Sequence, residues 1–447
     1  MTADLPAGPP PDAPAGIPVP PGLQLRPFAA LRPAADGEAL AARTSPPYDV
    51  LDDDDVQVLL DADPHNVVRL TLPRDRPGEP GSRYAVAAAQ LTRWGREGQL
   101  VRDGQPGLYV YEQTEATGHV QRGLLGGVGL AEPDAGIILP HESTMTGPVA
   151  DRLALLTATE ADLEPIFLVY DGGGAASSAV AAAAVRRPDV EAVTTDGTRH
   201  RLWLLTDAGT LAAIAADLLP RRAVIADGHH RYATYLQNQA RQHAKGRGTG
   251  PWDAGLALLV DATASGPQVH AIHRVLAGLP LAEAVARAGA GMRSRPLPGP
   301  FAHTTGGSEL LRALAEARAQ GLAFVVSDGT QAHLLTEPVA ARLAAALPTD
   351  RSVSWRQLDV TAAHRYLIGD LWGLPDTEDV VGFAHDADAA LAAARAAGGT
   401  ALLLAPTPVR AVLDVAAAGE RMPRKSTLFT PKPQTGLVLR PHAAAPA

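Results

Sequence analysis

Residues 221–240 read RRAVIADGHHRYATYLQNQA, and this stretch predicts a strand that passes directly into a helix. The apolar run at 223–226 contains two β-branched residues, which is typical of a buried strand. From residue 232 onward, aromatic and aliphatic residues recur at helical spacing. The change between the two elements falls on Asp-Gly-His-His-Arg at 227–231, which we name the DGHHR turn.

The DGHHR turn contains residue types that can bind an anion. Gly228 allows a tight turn or the close approach of a ligand, and the first turn of a helix presents unpaired N–H groups and a positive dipole. Arg231 adds a fork of donors that matches phosphate oxygens. Asp227 and the two histidines add proton-transfer or metal-binding capacity. A solvated turn whose histidines cap a helix is the alternative interpretation.

Composition limits the classes of protein that fit. The 447 residues suffice for two or three domains, and a hydrophobic content of 46% suffices for a sizeable core. The net charge of −9 argues against a broad nucleic-acid footprint, so we expect no nucleic-acid partner. Because there is no cysteine, disulfides and cysteine-ligated zinc are excluded. No signal peptide or membrane span is visible, so we expect a cytoplasmic protein without a membrane partner.

The chain divides into three predicted parts. Residues 1–22 hold eight prolines and predict a disordered tail. Residues 23–245 predict an α/β domain that contains the DGHHR turn, and a break near 246–253 separates it from a second α/β domain at 246–447. Hairpins together with alternating strands and helices indicate a mixed α/β (α+β) fold.

Periodicity predicts the principal elements. The predicted strands lie at 108–113, 122–130, 165–170, 200–206, 223–226, 256–260, 322–327 and 400–405. The predicted helices lie at 83–97, 175–186, 208–219, 281–288, 308–320, 338–346, 360–368, 386–397 and 407–418.

Two segments before the DGHHR turn carry further candidate residues. Prolines stiffen the chain around Tyr48 and Asp49, which could face a pocket, although a rigid strand and turn is the alternative. Residues 141–144 read His-Glu-Ser-Thr, a set that suits a base and its orienting partners. The same residues suit an exposed helix start with Ser143 or Thr144 as its N-cap.

Two later segments are also polar. His270, His273 and Arg274 alternate with apolar residues, which predicts a strand end with solvated polar faces. The loop at 422–436 holds two of the chain's three lysines, with hydroxyl residues and prolines. That composition resembles a clamp for a phosphate or carboxylate, and a basic surface loop is the alternative.

Familiar motifs for nucleotide binding and hydrolysis are absent. The chain has no P-loop, no G-x-G-x-x-G after a strand, no H-E-x-x-H and no G-x-S-x-G elbow. The common nucleotide and hydrolase scaffolds are therefore poor fits.

The order of these segments, together with Glu164-Pro165 and Lys425-Ser426-Thr427, resembles the domain-of-unknown-function family 1015 over about residues 23–440. The DGHHR turn looks like the phosphate-binding box of the ParB, sulfiredoxin and free-serine-kinase superfamily. The resemblance implies a ParB/sulfiredoxin-like nucleotide-binding core that uses ATP, ADP or CTP. It implies a nucleotide-dependent phosphotransferase acting on a small molecule, as free L-serine kinases do. A slow or non-catalytic nucleotide-binding switch, and another enzyme with an anionic substrate, are the alternatives.

Roles for single residues follow from this resemblance. Gly228, His229, His230 and Arg231 would hold the nucleotide phosphates, and Asp227 would act in catalysis or bind Mg²⁺. Glu142 or His230 would take the acceptor's proton. The substrate would contact a larger set, namely Tyr48, Asp49, His141, Thr144, Arg152, Lys425, Ser426, Thr427 and Lys432.

The chain departs from the family pattern around residue 141. Relatives have lysines where Leu139-Pro140 stands and a more charged stretch where residues 145–150 stand. Both changes remove charge beside the proposed site, which affects the polar roles of this loop.

Overall fold

The computed structural model describes residues 17–299 and 306–442. Residues 1–16 of the predicted tail lie outside the described residues, whereas Pro20 and Gly22 are buried. A Cβ on Gly22 would lie 1.9 Å from the carbonyl oxygen of Leu219, so the backbone packs closely here. Packing therefore begins slightly before the predicted start at Leu23.

The described residues form two compact units. The first unit contains residues 17–138, 144–265 and 433–442, and the second contains 139–143, 266–299 and 306–432. The division into domains at 23–245 and 246–447 stays a prediction. The boundaries of the two compact units lie at different residues from the predicted boundary at 245/246.

The strands of the described residues are, in chain order, β1 (Leu25–Arg26), β2 (Leu31–Pro33), β3 (Leu100–Arg102), β4 (Leu108–Thr114), β5 (Val120–Gly129), β6 (Ile138–Pro140), β7 (Ala161–Asp162), β8 (Ile166–Tyr170), β9 (Val190–Val193), β10 (Arg199–Leu205), β11 (Ala223–Asp227), β12 (Ala254–Asp261), β13 (Gln268–His270), β14 (His273–Leu276), β15 (Arg293–Pro296), β16 (Phe324–Ser327), β17 (Ala332–Thr336), β18 (Gly382–Ala384), β19 (Thr400–Leu403), β20 (Leu428–Thr430) and β21 (Arg440–Pro441).

The α-helices are α1 (Gly37–Ala41), α2 (Asp53–Ala62), α3 (Val68–Thr71), α4 (Arg83–Arg96), α5 (Thr146–Thr159), α6 (Gly174–Ala184), α7 (Ala208–Leu218), α8 (His229–Ala244), α9 (Leu281–Ala288), α10 (Gly306–Arg318), α11 (Ala340–Ala346), α12 (Val353–Arg356), α13 (Asp359–Ala362), α14 (Ala387–Ala397) and α15 (Val409–Ala417), and a π-helix spans Ala363–Leu371.

A nine-stranded sheet organises the first unit. Its order is β6-β11-β8-β12-β5-β4-β10-β9, with β1 also paired to β5. β8 and β12 run parallel, whereas β8 and β11 run antiparallel. The core packs apolar side chains of these strands against α6, α7 and α8, as at Leu168, Ile214 and Tyr235.

A six-stranded sheet organises the second unit, in the order β15-β17-β16-β19-β14-β18. Each neighbouring pair is antiparallel. Its core packs side chains such as Val325 and Leu403 against α10 and α14. The predicted mixed α/β fold class is confirmed.

The predicted elements are confirmed in type, with differences of a few residues at their ends. The predicted helix at 360–368 is divided between α13 and the π-helix. The predicted break at 246–253 is followed by β12, which lies in the same sheet as β11. None of the described helices combines the length and the apolar character that a bilayer crossing requires.

Candidate functional site

The register of two strands places the DGHHR turn beside the start of β8. β11 and β8 are antiparallel, and Asp227 at the end of β11 lies opposite Phe167. A register shift between Ile225 and Asp227 bends the end of β11. The turn therefore lies next to Glu164 and Pro165, which immediately precede β8.

Gly228 adopts a backbone conformation that few other residues tolerate. Its φ is 90° and its ψ is 29°, and it directly precedes α8. A Cβ here would lie 3.1 Å from both Arg231 Nε and Ile166 Cγ2. α8 begins without a side-chain cap and without an acidic residue in its first turn. Glycine thus satisfies both the left-handed geometry and the narrow space.

Arg231 is buried, and two of its nitrogens bind atoms of the protein itself. Nη1 donates to the Pro165 carbonyl at 2.6 Å, and Nη2 donates to the Asp227 carboxylate at 2.5 Å. Nε is buried and has no hydrogen-bond partner among the described residues. Burial lowers the pKa of Arg231, but the charges of Asp227 and Glu164 outweigh it and raise the pKa above its usual value. The Arg231 guanidinium therefore links the DGHHR turn to the segment before β8 on the buried side of the turn.

Glu164 is a buried carboxylate that the sequence analysis did not select as a site residue. Its Oε1 accepts a hydrogen bond from the Tyr48 N–H at 3.0 Å, and its Oε2 lies 3.8 Å from Arg152 Nη1. Burial raises the pKa of Glu164, and the charges of Arg231 and Arg152 offset part of this effect. The sequence signal that could have identified Glu164 is a charged residue placed directly before a predicted apolar strand.

Tyr48 and Arg152 join the same cluster from other segments. The Arg152 guanidinium lies 4.2 Å from the centre of the Tyr48 ring, and that of Arg231 lies 5.9 Å from it. Burial raises the pKa of Tyr48. Arg152 also binds the carboxylate of Asp151 through Nε and Nη2. Asp49, the next residue after Tyr48, is exposed.

His230 lies on the more exposed side of the turn, whereas His229 is buried. The Met145 N–H donates to His230 Nε2 at 3.1 Å, so Nε2 carries a lone pair there and the neutral ring has its proton on Nδ1. Burial lowers the pKa of His230, and Asp49 counteracts part of this effect. The ring is therefore neutral at pH 7.

The alternative helix start at Ser143 or Thr144 is wrong. α5 begins at Thr146, and its N-cap is Met145, which makes no side-chain cap. Thr144 is exposed in the first unit. His230 accepts the N–H of Met145, the residue immediately before α5.

His141 and Glu142 lie in the second unit. His141 is buried, its Nε2 lies 3.0 Å from Thr427 Oγ1, and its ring centre lies 5.8 Å from that of Phe429. Arg421 donates to the Glu142 carbonyl. The structure thus joins residues 141–142 to the loop that carries Thr427.

The remaining candidate residues of the loop at 422–436 differ in exposure. Ser426 is buried, Lys425 is exposed with a φ of 51°, and Lys432 is intermediate. Burial and then the charges of Lys425 and Lys432 lower the pKa of His385, so both cations act on that imidazole. This loop therefore concentrates positive charge, as its composition suggests.

The predicted solvated strand end at 270–274 is wrong for its last two residues. His273 and Arg274 are buried, and only His270 is exposed. Arg274 Nε donates to His364 Nε2 at 2.9 Å, because the antiparallel pairing of β14 with β18 and β19 places Arg274 inside the second unit.

The cavity beside the DGHHR turn is small. It measures about 40 Å³ and touches Arg152, Glu164, Arg231 and Tyr235. A volume of this size holds water but not a nucleotide. A larger anion would have to bind on the outer side of the turn, toward His230 and Asp49.

The structure offers no protein cage for a metal at this turn. No group of three or more His, Cys, Asp or Glu side chains within the described ranges is placed to hold a metal ion. The Asp227 carboxylate binds Arg231 instead. The Asp227 carboxylate is thus already paired, and binding of Mg²⁺ by Asp227 stays a prediction.

Comparison with known proteins shows distant likenesses in structure. No curated protein matches the chain. A conserved hypothetical protein from Pyrococcus furiosus is 13% identical, with 66% of this chain and 88% of that chain covered and a TM-score of 0.30. A free serine kinase variant in complex with ADP is 13% identical, with 68% and 89% covered and a TM-score of 0.33. A free serine kinase in complex with AMP is 14% identical, with 68% and 88% covered and a TM-score of 0.31.

A family model gives a firmer assignment. The model described as "Protein of unknown function (DUF1015)" matches residues 25–361, which is most of the chain but ends before the loop at 422–436. The chain therefore belongs to the DUF1015 family.

Proposed function

We propose that the DGHHR turn binds a phosphoryl group of a nucleotide and that the chain is a phosphotransferase acting on a small molecule. The observation that carries this proposal is the start of α8. A left-handed glycine precedes a 16-residue helix whose first turn has neither a side-chain cap nor an acidic residue. The N-terminus of such a helix favours an anion through its N–H groups and its dipole.

Some helices of the same unit close their first turns with carboxylates, whereas α4, α5 and α6, like α8, have neither a side-chain cap nor an acidic residue there. Asp52 caps α2 and Asp207 caps α7, each through a hydrogen bond to a backbone N–H. In α8 the N-cap is Gly228, which has no side chain, and Arg231 in the first turn is paired with Asp227. An anionic ligand would supply the charge that an aspartate supplies in α2 and α7.

The roles that we propose for the turn residues differ from those that the family resemblance implies. Arg231 fixes Asp227 and the start of β8, so we assign it as a positioning residue. The N–H groups of the turn would hold the phosphoryl oxygens. His230, which is neutral and faces the more exposed side, would take the proton of an acceptor hydroxyl that displaces the Met145 N–H.

The proposed step is a phosphoryl transfer. The acceptor oxygen bonds to phosphorus, the bond from phosphorus to the bridging oxygen of the nucleotide breaks, and the hydroxyl proton passes to His230. ATP, ADP and CTP are the nucleotides to compare. Serine is the first acceptor to test, because the turn resembles the box of free serine kinases.

A negative charge introduced at the turn tests this proposal. We expect the protein to bind ADP in calorimetry, and His230→Glu to weaken binding about tenfold because it places a negative charge at the anion site. Gln237→Glu makes a similar charge change on an exposed position of the same helix and should leave binding within about twofold. Equal effects of the two variants, or no ADP binding, would contradict the proposal.

Phosphorus NMR of nucleotide and serine then tests the transfer. A new phosphomonoester signal, formed by the parent protein and lost in His230→Glu, supports the phosphotransferase. ADP binding without consumption of any nucleotide across an amino-acid mixture would support the nucleotide-binding switch instead.

A further inference from the structure

A larger cavity lies elsewhere in the first unit. It measures about 450 Å³ and is bounded by α1, α2 and the turn that joins β9 to β10. Pockets for small molecules commonly have volumes in this range. The cavity is thus large enough for an organic ligand, unlike the one beside Arg231.

The walls of this cavity are mostly apolar. Leu51, Val58, Leu59 and Val193 line it together with several alanines. The exposed fraction is 69% for Val58 and 47% for Val193. Apolar side chains that are exposed beside a concave surface gain from the burial that a ligand provides.

A hydrogen-bonded chain fixes the polar part of the lining. The N–H of Gln434 donates to Tyr111 Oη, which lies 2.8 Å from His200 Nδ1. His200 Nε2 lies 3.1 Å from Thr194 Oγ1, and this hydroxyl donates to Asp196. Because Gln434, Thr194 and Asp196 all line the cavity, its polar atoms are held in place before any ligand arrives.

The charges that line the cavity have one sign. Glu38, Asp55 and Asp196 contribute carboxylates, and no lysine or arginine is among the described residues that line the cavity. The carboxylates of Asp55 and Asp196 accept backbone hydrogen bonds, whereas that of Glu38 has no hydrogen-bond partner among the described residues and is exposed. A phosphate or carboxylate ligand would be repelled here.

We propose that this cavity binds a small molecule that has an apolar body and a protonated amine. The apolar walls would cover the body, and the carboxylates would face the ammonium group. The site is separate from the DGHHR turn, which has the opposite electrostatic preference, so either proposal can fail without the other.

Three probes of similar shape test the preference for charge. 2-Phenylethylamine, 2-phenylethanol and phenylacetate differ at the polar end, which is a cation, a neutral hydroxyl or an anion. We expect saturation-transfer NMR to detect binding of the amine at millimolar concentration, at least about fivefold tighter than that of phenylacetate. No binding of the amine, or equal binding of phenylacetate, would overturn the proposal.

A pair of variants then places the binding in this cavity. Val58 is highly exposed on α2, and lysine and glutamate both suit a helix, so Val58→Lys and Val58→Glu should fold alike. We expect Val58→Lys to weaken amine binding about fivefold and Val58→Glu to leave it unchanged or tighter. Equal binding of the amine by both variants would overturn the assignment to this cavity, and thermal unfolding of each variant confirms its fold.

Discussion

Glu164 is the buried carboxylate on which the charges of Arg152 and Arg231 act. Its own environment opposes ionisation, because burial raises its pKa, while the two guanidinium groups favour the charged form. It also accepts the N–H of Tyr48, which ties the segment before α2 to the start of β8. Glu164 therefore interacts with two buried guanidinium groups and also holds the backbone at Tyr48.

Glu164→Gln removes the charge but keeps an oxygen for the Tyr48 N–H. We expect the free energy of unfolding of the first unit to fall by about 1–3 kcal/mol, because two buried guanidinium groups lose a counter-charge. Urea unfolding at pH 7 measures the change. Glu132→Gln, at an exposed position, should stay within about 0.5 kcal/mol of the parent protein. Equal stability of Glu164→Gln and the parent would show that Glu164 is not ionised.

Gly228 joins β11 to α8 with a left-handed backbone and a narrow space around its Cα. Gly228→Ala should lower the free energy of unfolding by roughly 2–4 kcal/mol, since it adds both conformational strain and a close contact with Ile166. Gly98→Ala is the matched control, because Gly98 has a φ of 71° and no atom within 4 Å of an added Cβ. Gly98→Ala should lower the free energy of unfolding by only about 1 kcal/mol. Equal costs in urea unfolding would mean that the contact at Gly228 relaxes freely.

α5 begins without a side-chain cap, which leaves room for a stabilising change. Met145 is 63% exposed and has the extended backbone of an N-cap residue. Met145→Ser should stabilise the first unit by about 0.5–1 kcal/mol, because its hydroxyl can accept the Gly147 N–H. The gain is modest because Pro148, at the third helical position, has no N–H to bind. Met145→Ala provides no acceptor and should give no gain in the melting temperature.

Local sequence patterns predicted the helices and strands more accurately than they predicted which residues are buried. The apolar run at 223–226 and the helical spacing after it were sufficient for β11 and α8, because both signals lie within a few residues of one another. The burial of Arg274 and Glu164 depends on which strands pair at long range, as β14 does with β18 and β19. The local spacing of residues does not show which strands pair at long range. It therefore predicts Arg274 in solvent and does not indicate that Glu164 is buried.

The candidate site shows the same limit. The DGHHR turn was identified from its residue types, and its glycine has the expected backbone freedom. The direction of the Arg231 side chain depends on Pro165, which lies 66 positions away in the chain. The sequence therefore predicts the turn and its glycine conformation but not the direction of its side chains.

Across the whole molecule, each unit buries histidines in their neutral form. Burial lowers the pKa of His200 in the first unit to about 4, and it does the same for His273 and His364 in the second. In an unfolded chain these groups titrate near 6.5. Both units therefore carry groups that resist protonation while folded.

The sign of the resulting pH dependence follows from proton binding. Between about pH 6.5 and pH 4 the unfolded chain binds more protons than the folded one, so stability falls as the pH falls through this window. At pH 5, His200 alone should cost the first unit about 2 kcal/mol relative to pH 7.5. Hydrogen exchange of β4 and β10 amides, compared with β16 and β19 amides, follows the two units separately. His200→Gln should reduce the loss in β4 and β10 by about this amount and leave the loss in β16 and β19 unchanged. An unchanged loss in β4 and β10 would show that His200 is already protonated in the folded unit at pH 5.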